Sequence, residues 1–171
     1  MNQSDLNAQG MAPQPGGVLL GNVAYIPPGL ETYFKDPFSY TITFPNIAQN
    51  QTLTGTANIQ NDSYFVCTQQ TMDIWDAATG FTTQIQPVNF AATCLILDSS
   101  SGKQQMDQPV PVGGLFGTAG SPWTWLYRAR IFMPGGQLQL QLTSRVAAAQ
   151  IVRATFTGFK VYKVPDQLVS L

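Results

Sequence analysis

The side chains best suited to binding or chemistry lie in the segment Trp-Thr-Trp-Leu-Tyr-Arg-Ala-Arg, residues 123–130. In an extended strand, where alternate side chains share a face, Trp123, Trp125 and Tyr127 fall on one side. Arg128 and Arg130 fall on the other. Rows of aromatic rings stack on sugars, or on bases when arginines lie beside them, and the same residue types are enriched at protein interfaces. The segment is therefore a core strand, a subunit interface or a sugar platform, and we favour an interface over a sugar platform because nothing else in the chain suits carbohydrate.

Residues for nucleophilic or metal chemistry are scarce. The chain has no histidine, which excludes Ser-His-Asp and Cys-His catalysis and removes the commonest metal ligand. Cys67 and Cys94 are the only cysteines and do not form a Cys-x-x-Cys pair. Two cysteines without histidine cannot complete a tetrahedral zinc site. We therefore predict no catalytic, cofactor-binding or metal-binding residue, and we expect both thiols to be free and buried in a chain that folds in a reducing cytoplasm.

Three further motifs resemble functional sites but have simpler interpretations. Asp73 and Asp76 could form a glycosidase carboxylate pair, but they flank Trp75 near a predicted strand end, and we favour solvated turn acids. The glycine-rich segment 114–120 lacks the Lys-Ser/Thr of a phosphate loop. The segment 98–102 resembles the start of a calcium loop without its glutamate, so a hairpin turn explains it.

Composition limits the class of protein. Of 171 residues, 44% are hydrophobic and only 10% are charged, with a net charge of −1. This balance is too apolar for a disordered chain and lacks the basic excess of a nucleic-acid-binding domain. Residues 1–107 carry eight acids and two lysines, whereas 108–165 carry six cations and no acid, which makes the two segments −6 and +6. We expect strands from the two segments to interleave, and the alternative is a self-complementary surface that pairs copies of the chain.

The N-terminal segment, residues 1–37, differs from the rest. Its Pro-Gly punctuation breaks any helical or alternating pattern, yet it carries more apolar side chains than a solvated linker would. We predict an extended arm that lies on a neighbouring copy or on its own domain. The arm residues expected at an interface are Val18, Leu19, Leu20, Tyr25, Tyr33 and Phe34.

From residue 38 to 171 the chain is predicted to form a β-sandwich domain. Alternating apolar and polar side chains predict about eight strands, near 38–44, 52–59, 64–75, 81–86, 88–97, 123–133, 137–142 and 151–162. Of these, 81–86 is either a short strand or an inserted loop. Within the third, Tyr64, Val66, Met72 and Ile74 are expected on one face. The last strand is apolar on both faces and is predicted to lie centrally or at an interface. The fold class is all-β, a two-sheet antiparallel, jelly-roll-like sandwich.

Several motifs resemble small virion proteins of tailed bacteriophages. They are DPFSYTITFP at 36–45, NDSYFV at 61–66, DSSSGKQ at 98–104, PVPV at 109–112 with LFG at 115–117, and FTGFK at 156–160. The resemblance covers about residues 36–163 and leaves the arm outside. It implies a jelly-roll structural component that decorates or cements the capsid shell, or that sits near the portal vertex.

The expected function is non-enzymatic. We predict a capsid decoration or cement protein located in the virion and made in the host bacterial cytoplasm. The alternatives are a portal-vertex collar, connector or tail-associated subunit, and, less favoured, a carbohydrate- or receptor-binding module. The expected partners are copies of the chain, a homotrimer first, and major capsid or other virion proteins, with no nucleic acid and no membrane.

Overall fold

The computed structural model describes residues 18–20, 24–26, 34–85, 87–99, 102–104, 106–117 and 123–162. These residues are almost entirely β-structure. A single short helix, α1 (Val112–Leu115), and 3₁₀ turns at Gly80–Thr82 and Pro87–Asn89 interrupt them. The strands are β1 (Val18–Leu20), β2 (Ala24–Ile26), β3 (Phe34–Ile47), β4 (Thr52–Asn58), β5 (Tyr64–Asp76), β6 (Gln84–Ile85), β7 (Ala92–Asp98), β8 (Lys103–Gln104), β9 (Val110–Pro111), β10 (Trp123–Phe132), β11 (Gln137–Ser144) and β12 (Gln150–Tyr162).

Strands β3 to β12 form two antiparallel sheets, which we call the BIDG-type and CHEF-type sheets after the usual jelly-roll order, and β1 and β2 form a separate two-stranded sheet. The BIDG-type sheet has the order β10-β5-β12-β3, and β6 adds to β5. The CHEF-type sheet has the order β4-β11-β7-β8, and β9 also pairs with β7. Early strands therefore pair with late ones in reverse order, which is the connectivity of a jelly roll. The predicted all-β sandwich is confirmed, and β12 lies between β5 and β3 as expected.

This connectivity brings the acidic and basic segments of the sequence together. In the ladders Arg153 lies opposite Asp73, and Lys160 lies opposite Asp36. Lys160 is only 4% exposed; its ammonium group donates to the side-chain oxygen of Gln60 and lies 3.9 Å from the Phe38 ring centroid. The expectation that the charges interleave in space is confirmed for these strands.

The core lies between the two sheets. Alternation puts every second residue of β11 inside, so Leu138, Leu140 and Leu142 are fully buried while the glutamines between them face outward. The opposite sheet contributes the apolar side chains Ile42, Phe44, Met72, Ile74, Val152, Ala154 and Phe156. Both faces of the core are thus supplied by alternation of period two.

A β-bulge makes one detail of the strand prediction wrong. Thr157 lies opposite Gln69 and Gly158 lies opposite Cys67, so Thr68 is an extra residue on β5. One extra residue reverses the alternation. Consequently Phe65 and Cys67, rather than Tyr64 and Val66, share the core with Met72 and Ile74.

Other boundaries also differ from the prediction. Strand β3 begins at Phe34, inside the segment assigned to the arm, because it continues to pair with β12 as far as Tyr162. Strand β7 begins only at Ala92, since Pro87–Asn89 form a 3₁₀ turn. The division into an arm and a sandwich domain itself stays a prediction.

Candidate interaction surface

The described part of the arm lies along one edge of the BIDG-type sheet. Strands β1 and β2 pair antiparallel, with Leu19 opposite Tyr25, and β2 runs beside β10, with Cα atoms within 8 Å. Strand β10 is itself the terminal strand of this sheet. The fold therefore places two segments that are far apart in sequence, the apolar arm and the aromatic-arginine strand, next to each other.

The predicted regular alternation along β10 is wrong, because the strand is interrupted. Trp125 pairs with Gln69, but the next pair joins Arg130 to Cys67, so four residues of β10 stand opposite Thr68 alone. Within this four-residue bulge Leu126 is buried and belongs to the hydrophobic core. A bulge of this size breaks the period of two on which the two-faced pattern depended.

Arg130 occupies an unusual position at this edge. It is half-buried, and its Nη1 atom has no hydrogen-bond partner. Burial lowers the pKa of its guanidinium group below the usual value, while the Cys67 thiol opposite works against that change. A buried donor without an acceptor is destabilising. An acceptor from a neighbouring protein that reached the Arg130 Nη1 atom would therefore be stabilising, which fits the predicted place of Arg130 at an interface.

The other predicted interface residues divide by position. Val18, Leu19, Leu20 and Tyr25 lie in the β1–β2 hairpin beside β10, whose strand includes Trp123, Trp125, Tyr127 and Arg128. Phe34 starts β3, the terminal strand at the opposite edge of the sheet. Tyr33 lies outside the described residues. A role of these residues in an interface stays a prediction.

An aromatic cluster that the sequence prediction missed lies at the β5–β6 hairpin. Trp75 and Phe81 meet edge to face with ring centroids 5.1 Å apart, and Phe81 is 62% exposed. The Arg153 guanidinium lies 5.5 Å from the Trp75 ring and 5.9 Å from the Phe81 ring. Trp75 and Phe81 are six positions apart across a turn in which Gly80 has a φ of +65°, and this aromatic-turn-aromatic spacing is the signal that could have revealed the cluster.

The outer faces of both sheets carry neutral polar side chains that bond to one another. On the BIDG-type sheet the hydroxyls of Ser39 and Thr157 lie 2.9 Å apart. On the CHEF-type sheet the hydroxyls of Thr52 and Thr143 lie 2.8 Å apart, and Gln137 donates to Asn58. Hydroxyl and amide pairs thus cover these surfaces with little charge.

The cysteines are buried, and Asp73 and Asp76 accept hydrogen bonds at the β5–β6 hairpin. Cys67 and Cys94 are buried and free, as predicted, and burial raises the pKa of each thiol to about 12. Asp76 accepts a hydrogen bond from the Ala78 amide at 2.9 Å, which is an Asx turn, and Asp73 accepts one from the Gln84 side chain.

Among the described residues no group of three or more Cys, Asp and Glu side chains is placed to hold a metal. No helix in this part of the chain is long and apolar enough to cross a membrane.

Comparisons with known proteins gave matches among solved structures. No protein-family model matches the sequence, and no curated protein is significantly similar to it. One similar solved structure is the infectious bursal disease virus VP2 subviral particle, at 10% identity over 94% of this chain and 47% of that one, with a TM-score of 0.33. The Gx strain of the same virus is similar at 14% identity over 80% of this chain and 43% of that one, with a TM-score of 0.29.

The chain thus spans about half the length of these solved structures. Neither is described as a tailed-bacteriophage protein. TM-scores of 0.33 and 0.29 are too low to carry an argument about what this chain binds or does.

Proposed function

We propose that this chain is a non-enzymatic structural protein of a virion, and that it decorates or cements the capsid of a bacteriophage. The observation that carries the proposal is the shared edge of the BIDG-type sheet, where the apolar β1–β2 hairpin runs beside the aromatic- and arginine-rich strand β10. Aromatic residues and arginine are the types enriched where proteins meet. Permanent assembly is the setting in which such an edge is covered.

The surfaces of the sandwich support the same function. Neutral hydroxyl and amide ladders such as Thr52–Thr143 can be covered by a neighbouring protein without removing an ion from water. Charged faces carry a larger desolvation cost. A protein whose outer faces are permanently covered by neighbouring proteins is therefore expected to have faces of this composition.

The mechanism we propose is stabilisation of the shell by mass action. A protein that binds the assembled capsid and not its free subunits shifts the equilibrium toward the capsid, in proportion to the logarithm of its concentration over its dissociation constant. The arm and the β10 edge would supply the contacts with major capsid proteins. We expect neither nucleic acid nor membrane as a partner, in keeping with a net charge of −1.

The arm is tested by deleting residues 1–33, which stops short of β3 at Phe34. Wild-type and truncated protein, both fluorescently labelled, are incubated with purified particles and separated by sedimentation. We expect the truncated protein to keep its far-ultraviolet circular dichroism spectrum and to lose particle binding. Full binding by the truncated protein would refute the role of the arm.

Copy number decides between a shell position and a vertex position. Quantitative mass spectrometry of purified particles is expected to find hundreds of copies for a decoration protein, and about a dozen or fewer for a portal-vertex collar, connector or tail-associated subunit.

We further propose a homo-oligomer, with a trimer favoured through the β10 edge. A trimer that falls apart on deletion of residues 1–33, measured by light scattering, supports that assignment, and an unchanged mass contradicts it.

A second candidate function is a carbohydrate- or receptor-binding module, and the Trp75–Phe81 cluster is the observation that favours it. An exposed ring beside a guanidinium can stack on a sugar face. The test is a glycan array with the wild-type protein and Phe81→Ala. Binding that is lost in Phe81→Ala supports this function, whereas a silent array dismisses it.

A further inference from the structure

The edge of the BIDG-type sheet opposite β10 is unpaired in the described part of the chain. It is formed by β3, which pairs with β12 and with no other described strand. Strand β4 does not cover this edge, because Gly55 packs on Ile42 and Phe44 from the core side. A long open edge is a template for pairing with another strand, and natural proteins protect it with charges, prolines or bulges. Strand β3 has two charged residues, Lys35 and Asp36, and two prolines, Pro37 and Pro45, but residues 38–44 between the prolines contain neither a charge nor a proline.

A proline identifies the backbone groups that point outward. Pro37 lies within β3 and has no N–H to give to β12, and prolines in edge strands place that side toward the open edge. Backbone N–H and C=O groups alternate in direction along a strand. Ser39, Thr41 and Thr43 therefore direct their N–H and C=O groups away from β12.

This open row is symmetrical about Thr41. Pro37 lies four residues before Thr41, and Pro45 lies four residues after it. If a second copy pairs antiparallel about a two-fold axis at Thr41, Ser39 faces Thr43 of the second copy. Pro37 and Pro45 bound the paired segment, and Pro45 stands at the register shift between Phe44 and Ile47. The three outward N–H groups of each copy then find acceptors, which makes six hydrogen bonds across the axis. Pairing ends at the prolines, where neither strand has a donor.

The side chains fit the same arrangement. Ser39, Thr41 and Thr43 are all exposed, and within one copy the hydroxyls of Ser39 and Thr41 already pair with Thr157 and Thr155 at 2.9 and 3.3 Å. Across the axis hydroxyls would again face hydroxyls, and no like charges would meet. Cross-strand pairs of hydroxyl side chains are favourable, whereas like charges directly opposite are not.

We propose that two copies of this chain pair antiparallel through β3, with the two-fold axis at Thr41, and join their BIDG-type sheets into one continuous sheet. The self-complementary spacing of the prolines points to a second copy rather than to an unrelated strand, because in a two-fold interface residue i contacts residue j and j contacts i, so that a pattern symmetrical about the axis matches itself. The inference does not rest on the proposed function. It uses the edge opposite β10 and leaves the arm edge available for other contacts.

Disulfide trapping tests the register directly. Directly opposite residues of a hydrogen-bonded pair have Cα atoms about 5.5 Å apart, which suits a disulfide. Thr41→Cys should therefore cross-link to itself under mild oxidation, while the native Cys67 and Cys94 thiols are buried. The matched control is Thr155→Cys on the adjacent strand, which would lie about 15 Å from its symmetry mate. Absence of a cross-link in Thr41→Cys, or an equal yield in Thr155→Cys, would overturn the proposal.

A charge at the axis gives a second readout that does not depend on oxidation. Thr41→Lys puts two ammonium groups opposite each other, and we expect the dissociation constant of the β3 contact, from sedimentation equilibrium, to rise by about fivefold. Thr155→Lys adds the same charge on the same face and loses the same hydroxyl pair, so it should leave the dimer intact. Salt at about 1 M, where the Debye length is about 3 Å, should restore pairing of Thr41→Lys. A wild-type chain that stays monomeric, or equal effects of the two lysines, would contradict the pairing, and neither result bears on capsid binding.

Discussion

Gly158 lies where the backbones of β12 and β5 approach closely, and Gly158→Ala tests that approach. Gly158 lies on the central strand β12 at the bulge opposite Cys67. A Cβ atom there would lie 2.9 Å from the Cys67 Cα and from the Val66 carbonyl carbon, and closer still to the Val66 carbonyl oxygen. Carbon atoms normally approach to about 3.5–4.0 Å. The atoms in the way are backbone, so no side-chain rotation can relieve the overlap.

We expect Gly158→Ala to destabilise the protein by about 3 kcal/mol, at the upper end of what overpacking costs. For a chain of this size that corresponds to a fall in Tm of about 6–12 °C. Intrinsic strand propensity acts in the opposite direction, since glycine weakens a strand, so the sign of the effect distinguishes packing from propensity. Thermal unfolding followed by circular dichroism measures it.

The matched control is Gly114→Ala, in the short helix α1. No atom lies within 4 Å of a Cβ built at Gly114, and its φ is not positive, so we expect a change within about 1 kcal/mol, toward greater stability. If Gly158→Ala melts within about 2 °C of the wild-type protein, the close approach of β12 to β5 is refuted. Insoluble Gly158→Ala beside soluble Gly114→Ala agrees with the prediction.

Two further predictions concern the core and its thiols. Leu140→Ala, at a fully buried position of β11, should cost about 2–5 kcal/mol in urea unfolding, whereas Gln139→Ala on the outer face should cost about 0.5 kcal/mol or less; equal costs would contradict the alternation of this strand. The pKa of about 12 for Cys67 and Cys94 means that the folded protein holds two protons that the unfolded chain releases near pH 9, so stability falls as pH rises above about 9. Between pH 8 and pH 10 the wild-type protein should lose about 3 kcal/mol more than the Cys67→Ala/Cys94→Ala variant, and identical pH profiles would show that the thiols are not desolvated.

The sequence was sufficient for elements whose pattern is local. Leu138, Leu140 and Leu142 alternate with glutamines, and such alternation predicts a half-buried strand. Strand β11 was therefore predicted within two residues of its observed end. The two turn segments at 98–102 and 134–136 were recognisable because Gly102 and Gly135 adopt a positive φ that other residues disfavour. The near absence of helix from the described residues follows in the same way.

Features that depend on pairing could not be read from one strand. The extra residue Thr68 reverses the faces of β5, and it is visible only when β5 is aligned with β12. The four-residue bulge in β10 is likewise defined by its partner strand, and it breaks an aromatic pattern that looked regular in sequence. Trp75 and Phe81 are neighbours across a turn, but Arg153 reaches them from β12, so no local window contained the complete cluster.

What the sequence determined by itself is the class of protein: an all-β chain with neutral polar surfaces, buried thiols and an apolar N-terminal segment. Local alternation and turn chemistry carry that information, because both act between neighbouring residues. Only the tertiary structure decided which strands meet, since hydrogen-bonded ladders join residues more than 100 positions apart, such as Ser39 and Thr157. That long-range pairing placed β10 beside the arm at one sheet edge and left β3, with its symmetrical prolines, at the other.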